Sequence, residues 1–257
     1  MGDAIQARSL GTRILNHGGP EYDGLRYAIH RYIEKHSTNG DSLIGLRAAF
    51  GNGGILQGLV DWLAGSFQDD DSSCVDYIGG PESGAGVLCG ALIMKLTPTE
   101  AWHWENLRGH KRNKGHIRIM KYREGDEIPG DFVNRCYPTG RFLQGPNGSQ
   151  VPEYKVLAIQ KGIIEEPPKN VILLDDWAET YKQLSTCVDL VESQGGIVNG
   201  AATVVSIQDG RAEFEKKHTR TRLLSLMDYE RLPDKSLKPL NFKLPDSSPK
   251  AGSEDTQ

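Results

Sequence analysis

The segment Val171-Ile172-Leu173-Leu174-Asp175-Asp176-Trp177-Ala178-Glu179-Thr180-Tyr181-Lys182-Gln183 constrains this chain more than any other. Its run of apolar residues reads as a strand buried on both faces, as found inside a parallel sheet. Two carboxylates close the strand, and a polar loop leads into the helical pattern from Leu184 to Val191. In open α/β sheets, ligands bind beyond the carboxyl ends of the strands, where loops meet helix N-termini. Carboxylates there can take up neighbouring hydroxyls, while free loop and helix amides face an anion. A sugar phosphate needs both features side by side. A buried strand followed by an acidic turn would produce the same pattern, and the pattern alone leaves both open.

A second strand-turn-helix layout lies within Val75 to Leu92, where Gly79-Gly80-Pro81-Glu82-Ser83-Gly84 forms the turn. Glycines let backbone amides approach an anion closely. A tight connection would also use them. The turn lies roughly 95 residues ahead of the acidic pair.

The Val171–Gln183 segment resembles the diphosphosugar-binding signature of the type I phosphoribosyltransferases: apolar strand, two acidic residues, a short loop and a Thr, here Thr180. The resemblance implies an α/β fold with a central parallel sheet flanked by helices and a small hood. It also implies transfer of the 5-phosphoribosyl group from 5-phosphoribosyl 1-diphosphate to a nitrogen of a heterocyclic base, releasing pyrophosphate, with Mg²⁺ as cofactor. On this likeness Asp175 and Asp176 hold the ribose hydroxyls, directly or through Mg²⁺. Ala178, Glu179, Thr180, Tyr181, Lys182 and Gln183 form the 5-phosphate loop, and Trp177, at the place that neighbours the base in purine enzymes, offers a flat wall to the base or else belongs to the core. The turn of Gly80, Pro81, Glu82, Ser83 and Gly84 holds pyrophosphate. Tyr181 stands where the family prefers Gly, and Gln183 where it prefers a hydroxyl, so the loop is expected to be reshaped.

Within the family, four segments resemble the orotate enzymes: Ile14 to Arg26, His110 to His116, Val204 to Arg211 and Arg222 to Tyr229. By this likeness Lys111, Arg112, Lys114 and His116 belong to a mobile cationic loop. Lys114 and His116 would act in catalysis by reaching the neighbouring subunit's site in a homodimer, and Arg211 would contact substrate. Asn16, His110 and either Gly84 or Ala85 stand where orotate enzymes carry cations, which argues against orotate itself. Glu179 occupies the place where 6-oxopurine enzymes carry an Asp beside the base. A carboxylate there can accept the base's proton as the glycosidic bond forms. A solvent-facing Glu favoured by a helix N-terminus is the competing account.

Composition removes several function classes. A formal charge of −4 and a pI near 6.0 disfavour a dedicated nucleic-acid binder, despite the basic run from Arg108 to Arg118. No apolar run is long enough for a membrane span, and the N-terminus lacks a signal-peptide layout. Cys74, Cys89, Cys136 and Cys187 show no C-x-x-C spacing, so reduced thiols in the cytoplasm are expected. Organisation follows as one domain over about 1–230: hood elements over about 10–66, a core over about 74–230 and an inserted piece over about 124–150, hairpin or ordered loop, near the site. Pro, Lys, Ser and Asp dominate from 232 onward, which predicts a flexible tail over 232–257. A catalytically weak nucleotide or diphosphosugar sensor on the same fold is the alternative to an enzyme.

Overall fold

The computed structural model describes residues 19–36, 42–68, 75–82, 84–97, 115–164, 169–234 and 236–242. Three helices come first: α1 (Asp23–His36), α2 (Ser42–Phe50) and α3 (Gly53–Gln68). Then β1 (Tyr77–Pro81), α4 (Ala85–Leu96), β2 (Gly115–Arg123), β3 (Phe132–Gln144), β4 (Gln150–Gln160) and β5 (Lys169–Ala178) follow. The chain continues through α5 (Lys182–Ser193), β6 (Gly196–Ile207), α6 (Arg211–Lys217), β7 (Arg222–Arg231) and β8 (Leu237–Pro239).

The strands form one eight-stranded sheet in the order β3-β4-β2-β1-β5-β6-β7-β8. Strands β2, β1, β5, β6 and β7 run parallel, while β3, β4 and β8 are antiparallel additions at the edges. β5 lies between β1 and β6, with Tyr77 opposite Val171 and Asp175 opposite Thr203. Its alternating side chains serve two cores. Ile172 and Leu174 pack with α1, α3 and α4, through residues such as Ile29, Trp62 and Leu88. Val171 and Leu173 pack on the other face with α5, through Leu184, Val188 and Val191, and with Ile117, Leu157 and Ile159. Burial on both faces explains why the strand reads as an unbroken apolar run.

The segment around 124–150 forms a long hairpin of β3 and β4, which pair from Phe132/Gln160 to Gln144/Gln150 with an irregularity between Pro138 and Phe142. Asn147 (φ 63°) and Gly148 (φ 74°) make the tip, where left-handed backbone suits Asn and Gly. The expected tail from 232 is corrected through Phe242. Leu237–Pro239 pairs with Tyr229–Arg231, Phe242 is buried, and Asn241 Nδ2 donates to the Leu226 carbonyl at 3.2 Å. Two well-placed apolar residues, Leu237 and Phe242, outweigh a polar local composition. Among the described residues, no helix is long and apolar enough to cross a membrane.

Candidate functional site

Both carboxylates of the acidic pair sit at the carboxyl end of β5, and both are buried. They diverge to opposite faces of the sheet. Asp176 faces α2 and α4: Arg47 Nε donates to its Oδ2 at 3.2 Å, and Gly84 packs so closely that an added Cβ would lie 2.1 Å from the same oxygen. Asp175 faces α5 and the hairpin. Its Oδ2 accepts from Gln183 Nε2 at 3.0 Å, and its Oδ1 accepts the Asp176 backbone N–H at 2.9 Å. Tyr137 Oη donates to Gln183 Oε1 at 2.9 Å and extends this chain of polar contacts to β3. Burial raises the Asp175 carboxyl well above the usual range, and neighbouring Asp176 adds to the rise. Lys121 on β2 opposes it, while burial lowers the Lys121 ammonium in turn.

The loop that leaves β5 keeps the backbone shape expected of a glycine. Tyr181, at the N-cap of α5, has φ 57°, the left-handed conformation. A non-glycine residue there costs roughly 1–2 kcal/mol. The tyrosine ring offsets that cost by burial: it is 2% exposed, lies against Phe214, and its hydroxyl meets Ser206 Oγ. Gly210 seats the loop from beneath, since an added Cβ would lie 2.2 Å from the Thr180 carbonyl oxygen.

The glycine-rich turn lies beside this loop. Gly80 backs onto β5, where a Cβ would fall 2.2 Å from the Leu174 carbonyl oxygen, so only glycine fits. The Glu82 N–H donates to the Ile119 carbonyl at 2.7 Å, and its carboxylate pairs with Arg118. Gly84 caps α4 and Tyr181 caps α5, and among the described residues neither end has a side-chain cap bond. Two helices thus present uncapped first-turn amides at the edge where the acidic pair lies, an arrangement suited to anions.

A cavity of about 180 Å³ opens between the β5 loop and the hairpin. Asp175, Trp177, Ala178, Glu179, Thr180, Tyr181 and Gln183 line it from one side, and Lys121, Tyr137, Thr139, Arg141 and Lys155 from the other. A larger cavity of about 310 Å³ lies on the other side of Tyr137 and Thr180, between α5, α6 and β3, and includes Lys182. Glu179 is half-exposed and pairs with Arg231 at the end of β7, which also reaches Asp209 at 3.5 Å.

Several expected site residues lie elsewhere. Arg211 at the start of α6 turns inward to Ser225 at 3.0 Å and Asp228 at 3.2 Å, and pairs with Glu215 at 3.0 Å. It lines neither cavity. His116 belongs to β2 rather than to a mobile loop. It pairs with Ile78 near the amino end of the strand, and its exposed side chain alternates with buried Ile117 and Ile119. Partial burial and Arg118 lower its imidazole pKa. Ser83, Lys111, Arg112 and Lys114 lie outside the described residues. Conversely, Arg47, Lys121, Arg141, Lys155 and Arg231 reach the site without any motif to announce them. The alternation of β2, which sets Lys121 on the same face as Ile117 and Ile119, is the signal that could have marked one of these in the sequence.

The chain is 24% identical to an adenine phosphoribosyltransferase of Leuconostoc citreum over 199 residues, covering 77% of this chain and 94% of the relative. It superposes on the adenine phosphoribosyltransferase of Leishmania tarentolae with a TM-score of 0.52 at 16% identity, over 71% of this chain and 74% of that one. The enzyme from Thermoanaerobacter pseudethanolicus superposes with a TM-score of 0.50 at 18% identity, over 71% and 86% of the two chains. The chain has the type I phosphoribosyltransferase fold. No protein-family model matches it. These phosphoribosyltransferase relatives are adenine enzymes, whereas the sequence motifs had resembled the orotate enzymes most. The two likenesses meet at the family.

Proposed function

We propose that this protein is a pentosyltransferase that moves the 5-phosphoribosyl group of 5-phosphoribosyl 1-diphosphate onto a ring nitrogen of a purine-like base and releases pyrophosphate. One observation carries the reading. The buried Asp175–Asp176 pair at the end of β5 lies between two uncapped helix N-termini, those of α4 and α5. A diphosphosugar presents two hydroxyls between two anionic groups and matches that order. The Leuconostoc relative acts on adenine by name, and a Trypanosoma brucei relative is described in complex with AMP, pyrophosphate and ribose 5-phosphate. These names support a purine acceptor.

In this reading the amides of Ala178 to Gln183 at the start of α5 bind the 5-phosphate, aided by Arg141 and Lys155 across the cavity. Asp175 and Asp176 accept hydrogen bonds from the ribose hydroxyls, and the turn from Gly80 to Gly84 receives the diphosphate. The nitrogen of the base attacks the anomeric carbon as the carbon–oxygen bond to pyrophosphate breaks, and the bonding pair leaves with pyrophosphate. Glu179 accepts the proton of the base, or a hydrogen bond from its N–H, through Oε2, because Arg231 holds only Oε1. Trp177 flanks the base. The loop carrying Lys111, Arg112 and Lys114 completes the site of the second subunit of a homodimer.

Mg²⁺ fits the donor chemistry. It is held by one or two carboxylates and completed by substrate oxygens and water, not by an all-protein cage. Among the described residues, no group of three or more acidic, His or Cys side chains forms such a cage. Because Asp175 and Asp176 face opposite sides of the sheet, the ion would be held by one of them, with water bridging to the other, and would neutralise charge on the departing diphosphate. Release of pyrophosphate from 5-phosphoribosyl 1-diphosphate, assayed against adenine, other purines and orotate, tests the proposal. Turnover with a purine is the expected result. Tight diphosphosugar binding with no turnover on any base would favour a sensor instead.

A further inference from the structure

We infer that Arg47, from helix α2, supplies the pyrophosphate-binding cation that the glycine-rich turn itself lacks. The inference rests on the phosphoribosyl-transfer reading above and names a residue that no motif assigns. The turn from Gly80 to Gly84 contains no Lys or Arg, and neither does the first turn of α4. Arg118, the nearest cation on β2, is taken up by Glu82. Backbone amides alone would have to hold a strongly charged leaving group.

Arg47 stands where that cation is needed. Its Nε donates to Asp176 Oδ2, the same oxygen that Gly84 approaches so closely that no side chain fits there. The guanidinium therefore sits at the junction of the acidic pair and the anion-facing turn. Among the described residues its two terminal amino groups meet no acceptor, and its side chain is about half exposed, with 47% relative accessibility. One edge of the planar fork is anchored on Asp176, and the rest is free to grip phosphate oxygens in pairs. The anchor also neutralises Asp176, which would otherwise repel the diphosphate across the same gap. Gly84 makes this possible: a Cβ there would push Asp176, and Arg47 with it, away from the turn.

Calorimetric titration of the full-length protein with inorganic pyrophosphate and, separately, with ribose 5-phosphate tests the assignment. The wild type is expected to bind both ligands. In Arg47→Ala, pyrophosphate affinity should fall by roughly tenfold or more, the scale of lost charge-assisted hydrogen bonds, and by clearly more than ribose 5-phosphate affinity, which feels Arg47 only through Asp176. Arg47→Lys, which keeps the charge and loses the fork, should fall in between. Unchanged pyrophosphate affinity in Arg47→Ala, with ribose 5-phosphate still bound, would overturn the inference and leave the transfer reading intact. Loss of ribose 5-phosphate binding alone would make Arg47 a positioning residue for Asp176, and would overturn it as well. A wild type that binds neither ligand would sink the transfer reading itself.

Discussion

The Tyr181 hydroxyl meets Ser206 Oγ beneath the loop that closes β5, so a tyrosine is pinned in the backbone conformation usually left to glycine. Tyr181→Gly would relieve roughly 1–2 kcal/mol of backbone strain. It would also remove a buried aromatic ring, a loss of about 3–5 kcal/mol when such a ring is truncated in a core. The ring wins, and the variant should be less stable by about 1–4 kcal/mol in denaturant titration. Tyr181→Phe should cost about 1 kcal/mol for the lost hydrogen bond. A glycine variant more stable than the wild type would mean that the ring contributes little and the strain much.

The legibility of the sequence followed the range of the interactions. β5 and its acidic pair could be read because alternating burial in two cores leaves a continuous apolar run, and because Asp175 and Asp176 end it abruptly. The turn at Gly80 was visible for a similar reason, since Leu174 of the neighbouring strand leaves no room for a side chain. Arg47 was not visible, because its partner lies 129 residues away and α2 carries no motif. Arg211 rests on motif likeness alone, which carries no information on the inward contacts with Ser225 and Asp228. His116 was read by motif likeness, although its alternation with Ile117 and Ile119 marks a strand. The residues from 232 to 242 were judged by average composition, and two apolar anchors decided otherwise.

The acidic pair should separate binding from stability. Asp176→Asn is expected to weaken ribose 5-phosphate binding through a lost charge-assisted hydrogen bond, roughly 1.5–3 kcal/mol. Asp175 has a second signature. Burial raises its folded carboxyl above the unfolded value, so the native state keeps a proton that the unfolded chain has released. The resulting stability is complete below the unfolded pKa and is lost as pH rises through the folded one. Asp175→Asn carries no such penalty, so its melting temperature should gain on the wild type as pH rises. A gap that moves the other way would show that Lys121 outweighs burial and holds the carboxyl below its unfolded value.

Across the cavity, Arg141 and Lys155 face the Thr180 and Tyr181 loop. Replacing both with Ala should weaken ribose 5-phosphate binding by a few-fold and flatten its dependence on salt, because exposed charges act through a screened field. Equal salt slopes for variant and wild type would exclude the hairpin from phosphate binding.

The shared-site expectation has a direct check in mixed dimers. Lys114→Ala and Asp176→Asn each disable a different part of the site in the proposed scheme. If the loop acts in trans, combining the two proteins should recover part of the lost turnover in the heterodimer. Verified heterodimers that stay inactive would show that each site is built from one chain.

Glu179 decides which acceptor the site can use. Its carboxylate can serve only a base that presents an N–H, and Arg231 holds one oxygen in place while the other is left without a partner among the described residues. Glu179→Gln keeps the shape and the contact geometry but cannot accept a proton. With a purine acceptor its turnover should fall by about 10²-fold, the usual scale for a lost general base, while diphosphosugar binding holds. Arg231→Ala should cost less, since it frees the carboxylate without removing it. A wild type that turns over orotate more efficiently than adenine would overturn the acceptor assignment. The same result would leave the fold and the diphosphosugar site standing, because neither depends on Glu179.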